Sequence, residues 1–238
     1  MIPKKIHYCW FGGGTLPAKE QKCIASWAKL LPDYEIVRWD ESRFDIDSTA
    51  FTQEAYRAKK YAFVADYVRV FALKREGGIY LDTDVEVIRP LDDLLDCSFL
   101  SGFETEGVIQ TGVIGSEPES FMINKIYEYY DGRSFIKSNG EFDKTPNSAI
   151  IAQLMRNLGF QLRNQHEAKD RICLYPSEYF CPINQATWEI RVTDKTYCIH
   201  YLSGSWLPMK DRLSRKTKTM IGSMFGYGFV EKLRKIFR

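Results

Sequence analysis

Apolar positions fall in short runs punctuated by glycine, proline and polar residues. Ile6–Phe11 is an apolar, aromatic run stopped by Gly12, Gly13 and Gly14, which predicts a buried strand entering a loop. Ala18–Leu31 has helical spacing, with Cys23, Trp27 and Leu30 on one face and Pro32 closing it. Tyr34–Trp39 reads as a second strand and Asp40–Ser48 as a polar loop. Thr52–Glu76 reads as helix, broken near Lys60, in which Phe63, Tyr67, Val70, Phe71 and Lys74 follow at three- and four-residue steps. Gly77 and Gly78 stop it. Ile79–Ile88 starts as an apolar strand and turns acidic at its middle. Phe99–Phe103, Val108–Gly115, Ile172–Tyr175 and Tyr197–Leu202 are further strands, and Pro118–Tyr130 and Asn147–Leu158 are helices.

Strand alternating with helix argues for an α/β fold on a mostly parallel central sheet with flanking helices. The chain has 238 residues and no internal repeat or low-complexity linker. It therefore divides as one domain, residues 1–209, and a tail, residues 210–238.

Charge adds a feature that hydropathy hides. Lys210–Arg238 holds nine Lys/Arg and two Asp/Glu, a net of +7, which leaves −5 on residues 1–209 of a chain totalling +2. Ile221, Phe225, Phe229, Leu233 and Ile236 recur at near-helical spacing in this tail. A basic amphipathic segment suits an anionic membrane surface; a helix packed on its own domain or a dimer contact fits the same pattern. The acidic body argues against a nucleic-acid binder. The six cysteines form no CxxC pair and have no histidine at zinc-finger spacing, the N-terminus carries no secretory signal, and no stretch is apolar over the ~20 residues a bilayer requires. Reduced thiols in a cytoplasmic protein, peripheral on the inner face of the membrane, are the expectation.

The densest chemistry lies in Gly77–Val87, GGIYLDTDVEV. Asp82 and Asp84 are two apart, so on an extended strand both would point the same way. They follow apolar residues at a strand's C-terminal end, where open α/β sheets bind ligands. Paired carboxylates there suit a hard divalent cation bridging to phosphates. A solvated strand end carrying two incidental acids fits the same three residues equally well. One helical turn apart upstream, Asp66 and Arg69 form either a surface ion pair or a contact to a sugar hydroxyl and a phosphate. His200 ends a strand before a small polar loop, Ser203, Gly204, Ser205 and Trp206, that would close over a ligand.

Three blocks together carry a resemblance: Ile2–Gly13 (IPKKIHYCWFGG), Ala62–Val87 (AFVADYVRVFALKREGGIYLDTDVEV) and, more loosely, Ile199–Trp206 (IHYLSGSW). The chain resembles the bacterial glycosyltransferases of family 32, a DXD sugar-binding group related to the yeast initiating α-mannosyltransferases. The resemblance implies a GT-A fold, a retaining transfer from a nucleotide-diphosphate sugar (a UDP-sugar favoured), and Mn2+ or Mg2+. It implies a saccharide or lipid-linked saccharide acceptor, in cell-surface polysaccharide synthesis. By that analogy Trp10 and Phe11 lie beside the nucleotide base. Asp66, Arg69 and Asp82 touch the donor, Asp84 binds the metal with Asp82 and His200 beside it, and Ser203, Ser205 and Trp206 add late contacts. Asp82, Asp84 and Arg69 would carry the chemistry. Gln110, Thr111 and Asn147 fall where acceptor-facing residues are expected. The large clostridial toxins of the same fold carry an acid in the late region, and this chain has none at a matching place. Two alternatives stay open: a GDP-mannose-using mannosyltransferase, and a magnesium-dependent phosphatase of the haloacid-dehalogenase type. The phosphatase also ends a strand in Asp-x-Asp, but on its first strand and before different residues.

Overall fold

The computed structural model describes residues 1–204. The basic tail expected at 210–238 lies outside the described residues, as do Ser205 and Trp206.

The first half alternates as expected. Strand β1 (Lys5–Cys9), helix α1 (Ala18–Leu30), strand β2 (Glu35–Trp39), helices α2 (Ala50–Arg57) and α3 (Tyr61–Glu76), and strand β3 (Gly78–Leu81) follow in order. The helix break falls where it was expected: Lys59 takes a left-handed φ of 56°, and Lys60 precedes α3. Gly77 and Gly78 end α3 with φ of 64° and 100°. A Cβ on Gly78 would lie 2.7 Å from the Lys5 carbonyl oxygen, so close approach of β3 to β1 also requires the glycine.

Then come β4 (Val85–Val87), β5 (Phe99–Thr105), β6 (Val108–Ser116), α4 (Phe121–Glu128), α5 (Asn147–Asn157), β7 (Glu167–Lys169), β8 (Ile172–Tyr175) and α6 (Ser177–Phe180). A short hairpin, β9 (Ile183–Asn184) with β10 (Glu189–Ile190), and β11 (Cys198–His200) complete the described chain.

Seven strands form one sheet in the order β2-β1-β3-β6-β5-β8-β7. Five point the same way; β6, between β3 and β5, and the edge strand β7 are reversed. This is the α/β class that the alternation predicts. Both sheet faces are covered, and the period of two sorts the strand residues between them. Ile79 and Leu81 join one core with Ile6, Tyr8 and Trp27 from α1, whereas Tyr80 joins the other, with Val68, Leu73, Ile123 and Ile151 from the helices on the opposite face. Helix α3 is buried nearly all round, because it packs on β1 and β3 while α2 and α4 flank it.

Two expectations need correction. Ile79–Ile88 is not one strand. The chain leaves the large sheet after Leu81, turns through Asp82–Asp84 and resumes as β4, which pairs antiparallel with β11 in a separate two-stranded sheet. The turn is held by Val85 N–H donating to the Asp82 carbonyl (3.0 Å) and Asp82 N–H donating to the Gly112 carbonyl (2.8 Å). The cysteines are not all reduced: Cys97 and Cys173 form a disulfide, and Cys9, Cys23, Cys181 and Cys198 are buried free thiols. The parallel pairing of β5 with β8 brings Cys97 and Cys173 together across 76 residues, a proximity that local spacing does not carry. Disulfides persist in oxidising compartments, so the cysteines no longer argue for a reducing one. No helix among the described residues is long and apolar enough to cross a membrane.

Candidate functional site

The turn between β3 and β4 does what a continuous strand would not. Register pairs Val85 with His200, so β11 delivers the imidazole directly beside the two aspartates. His200 Nε2 lies 3.4 Å from Asp84 Oδ1 and 3.7 Å from Asp82 Oδ2. Each carboxylate has its other oxygen engaged. Asp84 Oδ2 accepts the Ser203 N–H (2.7 Å), while Asp82 Oδ1 accepts the Tyr80 hydroxyl (2.9 Å) and faces Arg69 Nη2 (3.3 Å). One oxygen of each aspartate therefore remains directed at the imidazole, and the three ligand atoms lie within 4.8 Å of one another. Two carboxylate oxygens and one imidazole nitrogen form a donor set that suits Mn2+ and also accommodates Mg2+. The residues fit the cation.

Arg69 is the cationic counterpart. Its side chain is 6% exposed. Nη1 donates to the Thr111 carbonyl (2.8 Å), Nη2 pairs with Asp66 Oδ1 (3.0 Å), and Nε donates to the Ala65 carbonyl (3.3 Å). The guanidinium lies over the Tyr80 ring, 4.5 Å from its centroid. The Asp66–Arg69 pair is therefore no solvent-exposed ion pair, because both side chains are largely buried and Arg69 also meets Asp82.

These neighbours set the charges. Burial raises the Asp84 carboxyl, but His200 and the Ser203 N–H outweigh it and hold Asp84 well below the usual range. Burial lowers His200, and Asp84 and then Asp82 more than offset that, so its pKa is raised. Asp66 is pushed up to about 6 by burial, with Arg69 pulling down and Asp82 adding to the rise. For Arg69 burial works against the charge, and Asp82, Tyr80 and Asp66 overcome it.

The other expected residues have surroundings of their own. Trp10 lies just past β1, half-buried, with Nε1 donating to the Gly14 carbonyl (2.6 Å). Phe11 is buried in the core with Cys9, Phe44 and Tyr67, which leaves its side chain little surface to offer. Gln110 and Asn147, expected to face an acceptor, are both fully buried. Asn147 accepts from the Tyr130 hydroxyl and donates to the Asp66 carbonyl (2.7 Å), so it holds α3 where Asp66 sits. Thr111 serves through its carbonyl, on Arg69. Two contributors went unseen in the sequence. Tyr80 shares the period-two spacing with Asp82, a signal that was available. Lys19, on α1, donates to Ser203 Oγ (3.0 Å) and lies 4.2 Å from the centroid of the Tyr201 ring, and no local signal marks it.

Residues 17–100 match the family described as the glycosyltransferase sugar-binding region containing the DXD motif. That segment of the chain is similar to the DXD-motif glycosyltransferases. The chain is 28% identical over 221 residues to a protein of Acanthamoeba polyphaga mimivirus named uncharacterized glycosyltransferase L373, covering 87% of this chain and 85% of that one. It is 41% identical over 98 residues to inositol phosphoceramide mannosyltransferase 3 of Schizosaccharomyces pombe, where it spans 40% of its own length and 27% of the relative's. Among solved structures, a galactosyltransferase LgtC holding donor and acceptor sugar analogs aligns over 92% of this chain and 95% of that one, at 13% identity and a TM-score of 0.48. The family match removes the phosphatase alternative.

Proposed function

We propose that this glycosyltransferase moves a hexose, with retention, from a UDP-sugar to a saccharide or lipid-linked saccharide acceptor in cell-surface polysaccharide synthesis. Asp84, Asp82 and His200 hold a divalent cation in this reading, Mn2+ ahead of Mg2+ because imidazole is one of the donors. The observation that carries it is the pair of uncommitted carboxylate oxygens, one on each aspartate, turned to His200 Nε2. When bound, the cation supplies Lewis-acid charge against the departing diphosphate. Arg69 adds a fixed cation whose contacts to Asp66, Asp82, Thr111 and Ala65 orient it beforehand, so little reorganisation accompanies charge build-up. Asp66 and Asp82 contact the donor sugar, Trp10 the base, and an acceptor hydroxyl attacks the anomeric carbon on the face the diphosphate leaves.

The test is a screen of nucleotide sugars for Mn2+-dependent hydrolysis, with Asp84→Asn as the control. Turnover of one donor that collapses to background in Asp84→Asn, with the thermal midpoint retained, is the expected result. A folded Asp84→Asn of full activity removes the assignment. A GDP-mannose donor is the second reading, favoured by the mannosyltransferase name of the fission-yeast relative, and the same screen separates the two. The +7 charge of residues 210–238 supports peripheral association with anionic lipid. Co-sedimentation with phosphatidylserine vesicles should weaken on deletion of that segment, and equal partitioning of both forms counts against the idea.

A further inference from the structure

A metal-binding imidazole is usually oriented by a hydrogen bond from its second ring nitrogen to a carboxylate or carbonyl. His200 lacks that device. Nε2 faces the aspartates, and Nδ1 is buried with no hydrogen-bond partner among the described residues. Something else must hold the ring, which is 10% exposed.

We propose that Gly112 is a positioning residue for His200, the space left by its absent side chain being the seat of the imidazole. A Cβ at residue 112 would lie 2.5 Å from Cε1, 2.6 Å from Nδ1 and 2.9 Å from Nε2 of His200, and these ring atoms are the nearest it would meet. Gly112 does not have the positive φ that would itself call for glycine. The requirement for glycine here is therefore the ring, not the backbone.

The seat is itself built. β5 and β6 lose register between Leu100 and Gly102. Gln110 bridges the irregularity, donating from Nε2 to the Val113 carbonyl (2.7 Å) and accepting the Val113 N–H at Oε1 (2.9 Å). Ser101 Oγ, also fully buried, donates to the Gln110 carbonyl (2.8 Å). This clasp directs the Thr111 carbonyl to Arg69 Nη1 and the Gly112 carbonyl to Asp82 N–H. Two adjacent residues of β6 thus orient the arginine, one aspartate and the histidine.

This inference rests on the proposed cation site, and its test separates the two. Mn2+ alone is titrated into wild type, Gly112→Ala, His200→Ala and the double variant, with free Mn2+ read by electron paramagnetic resonance. Gly112→Ala should weaken Mn2+ binding about 10–100-fold, the range for losing a group that orients a ligand. In the His200→Ala background the same substitution should cost nothing further, because the ring it displaces is gone. The chain has three histidines, so the His200 ring signal in NMR is readily assigned, and its broadening should need a correspondingly higher Mn2+ concentration in Gly112→Ala. Wild-type affinity in Gly112→Ala beside impaired His200→Ala overturns the role of Gly112 and leaves the cation site standing. Wild-type affinity in His200→Ala overturns both. A Gly112→Ala loss that persists undiminished without His200 reassigns the glycine to backbone structure. Should Gly112→Ala fail to fold, recovery of folding in the double variant supports the seat, and failure of both overturns it.

Discussion

Arg69 is fastened on all sides, and its geometry says what a substitution would cost. A lysine can place one ammonium near Asp66 or Asp82 but cannot also reach the Thr111 and Ala65 carbonyls in a planar fork. Arg69→Lys should lower donor turnover about 10²–10³-fold, the scale for losing one preorganised stabilising group. Arg69→Ala leaves Asp66 and Asp82 facing each other without a cation, and should cost about 3–5 kcal/mol in urea unfolding. Stability within about 0.5 kcal/mol of wild type would show that the pair is solvated after all. Asp66, Arg69, Asp82, Asp84 and His200 were legible because chemistry-bearing residues stood at helical or strand spacing, or at a strand end. Gly112 and Lys19 were not. Their importance lies in what stands opposite them in space, and a glycine inside a strand-like run carries no label saying which ring it admits.

At the level of elements, the break near Lys60 and the stop at Gly77–Gly78 were read from punctuation alone, since both depend on local backbone preference. The Asp-Thr-Asp segment carries the pattern of a continuous strand because hydropathy does not register a change of sheet. Only the pairing of β4 with β11 some 110 residues later ends it. The junction before that segment has a titratable pin. Trp39 Nε1, which can only donate, gives its hydrogen to His7 Nδ1 (3.0 Å), so Nε2 carries the ring proton and donates it to the Gly77 carbonyl (2.8 Å). Burial holds the His7 pKa below its ordinary value, against the upward pull of the Gly77 carbonyl and Glu76. A depressed folded pKa gives stability that is present above the unfolded value of about 6.5 and lost as pH falls through that value toward the folded one. Wild type should therefore lose stability between about pH 6.5 and 5 relative to His7→Gln, which does not titrate there. His200, raised by its aspartates, contributes with the opposite sign in both proteins, so the difference between their pH profiles isolates His7. His7→Gln should also be about 1–3 kcal/mol less stable at pH 7.5. Parallel profiles from pH 7.5 to 5 would exclude the pin.

For the whole molecule, the α/β class was legible because strand and helix periods alternate, but strand order was not. Nothing local in Val108–Ser116 announces that it runs backwards between β3 and β5, and that reversal brings the Thr111 carbonyl to Arg69 in the middle of α3 and the Gly112 carbonyl to Asp82 at the end of β3. The same non-local order makes the disulfide. Phe99 pairs with Ile172 and Leu100 with Cys173, so Cys97, two residues before β5, meets Cys173 on β8. The bond closes a sequence separation of 76 residues that contains β5, β6, α4 and α5. Closing a loop of that size restricts the unfolded chain and should contribute about 2–4 kcal/mol. In a chain of this length that corresponds to about 4–16 °C in the thermal midpoint. Scanning calorimetry with and without dithiothreitol measures it, and the Cys97→Ser/Cys173→Ser variant should unfold at the reduced midpoint whether or not reductant is present. If wild type unfolds at one temperature under both conditions, the crosslink does not hold the β5–β8 half of the sheet, and the strand pairing alone must.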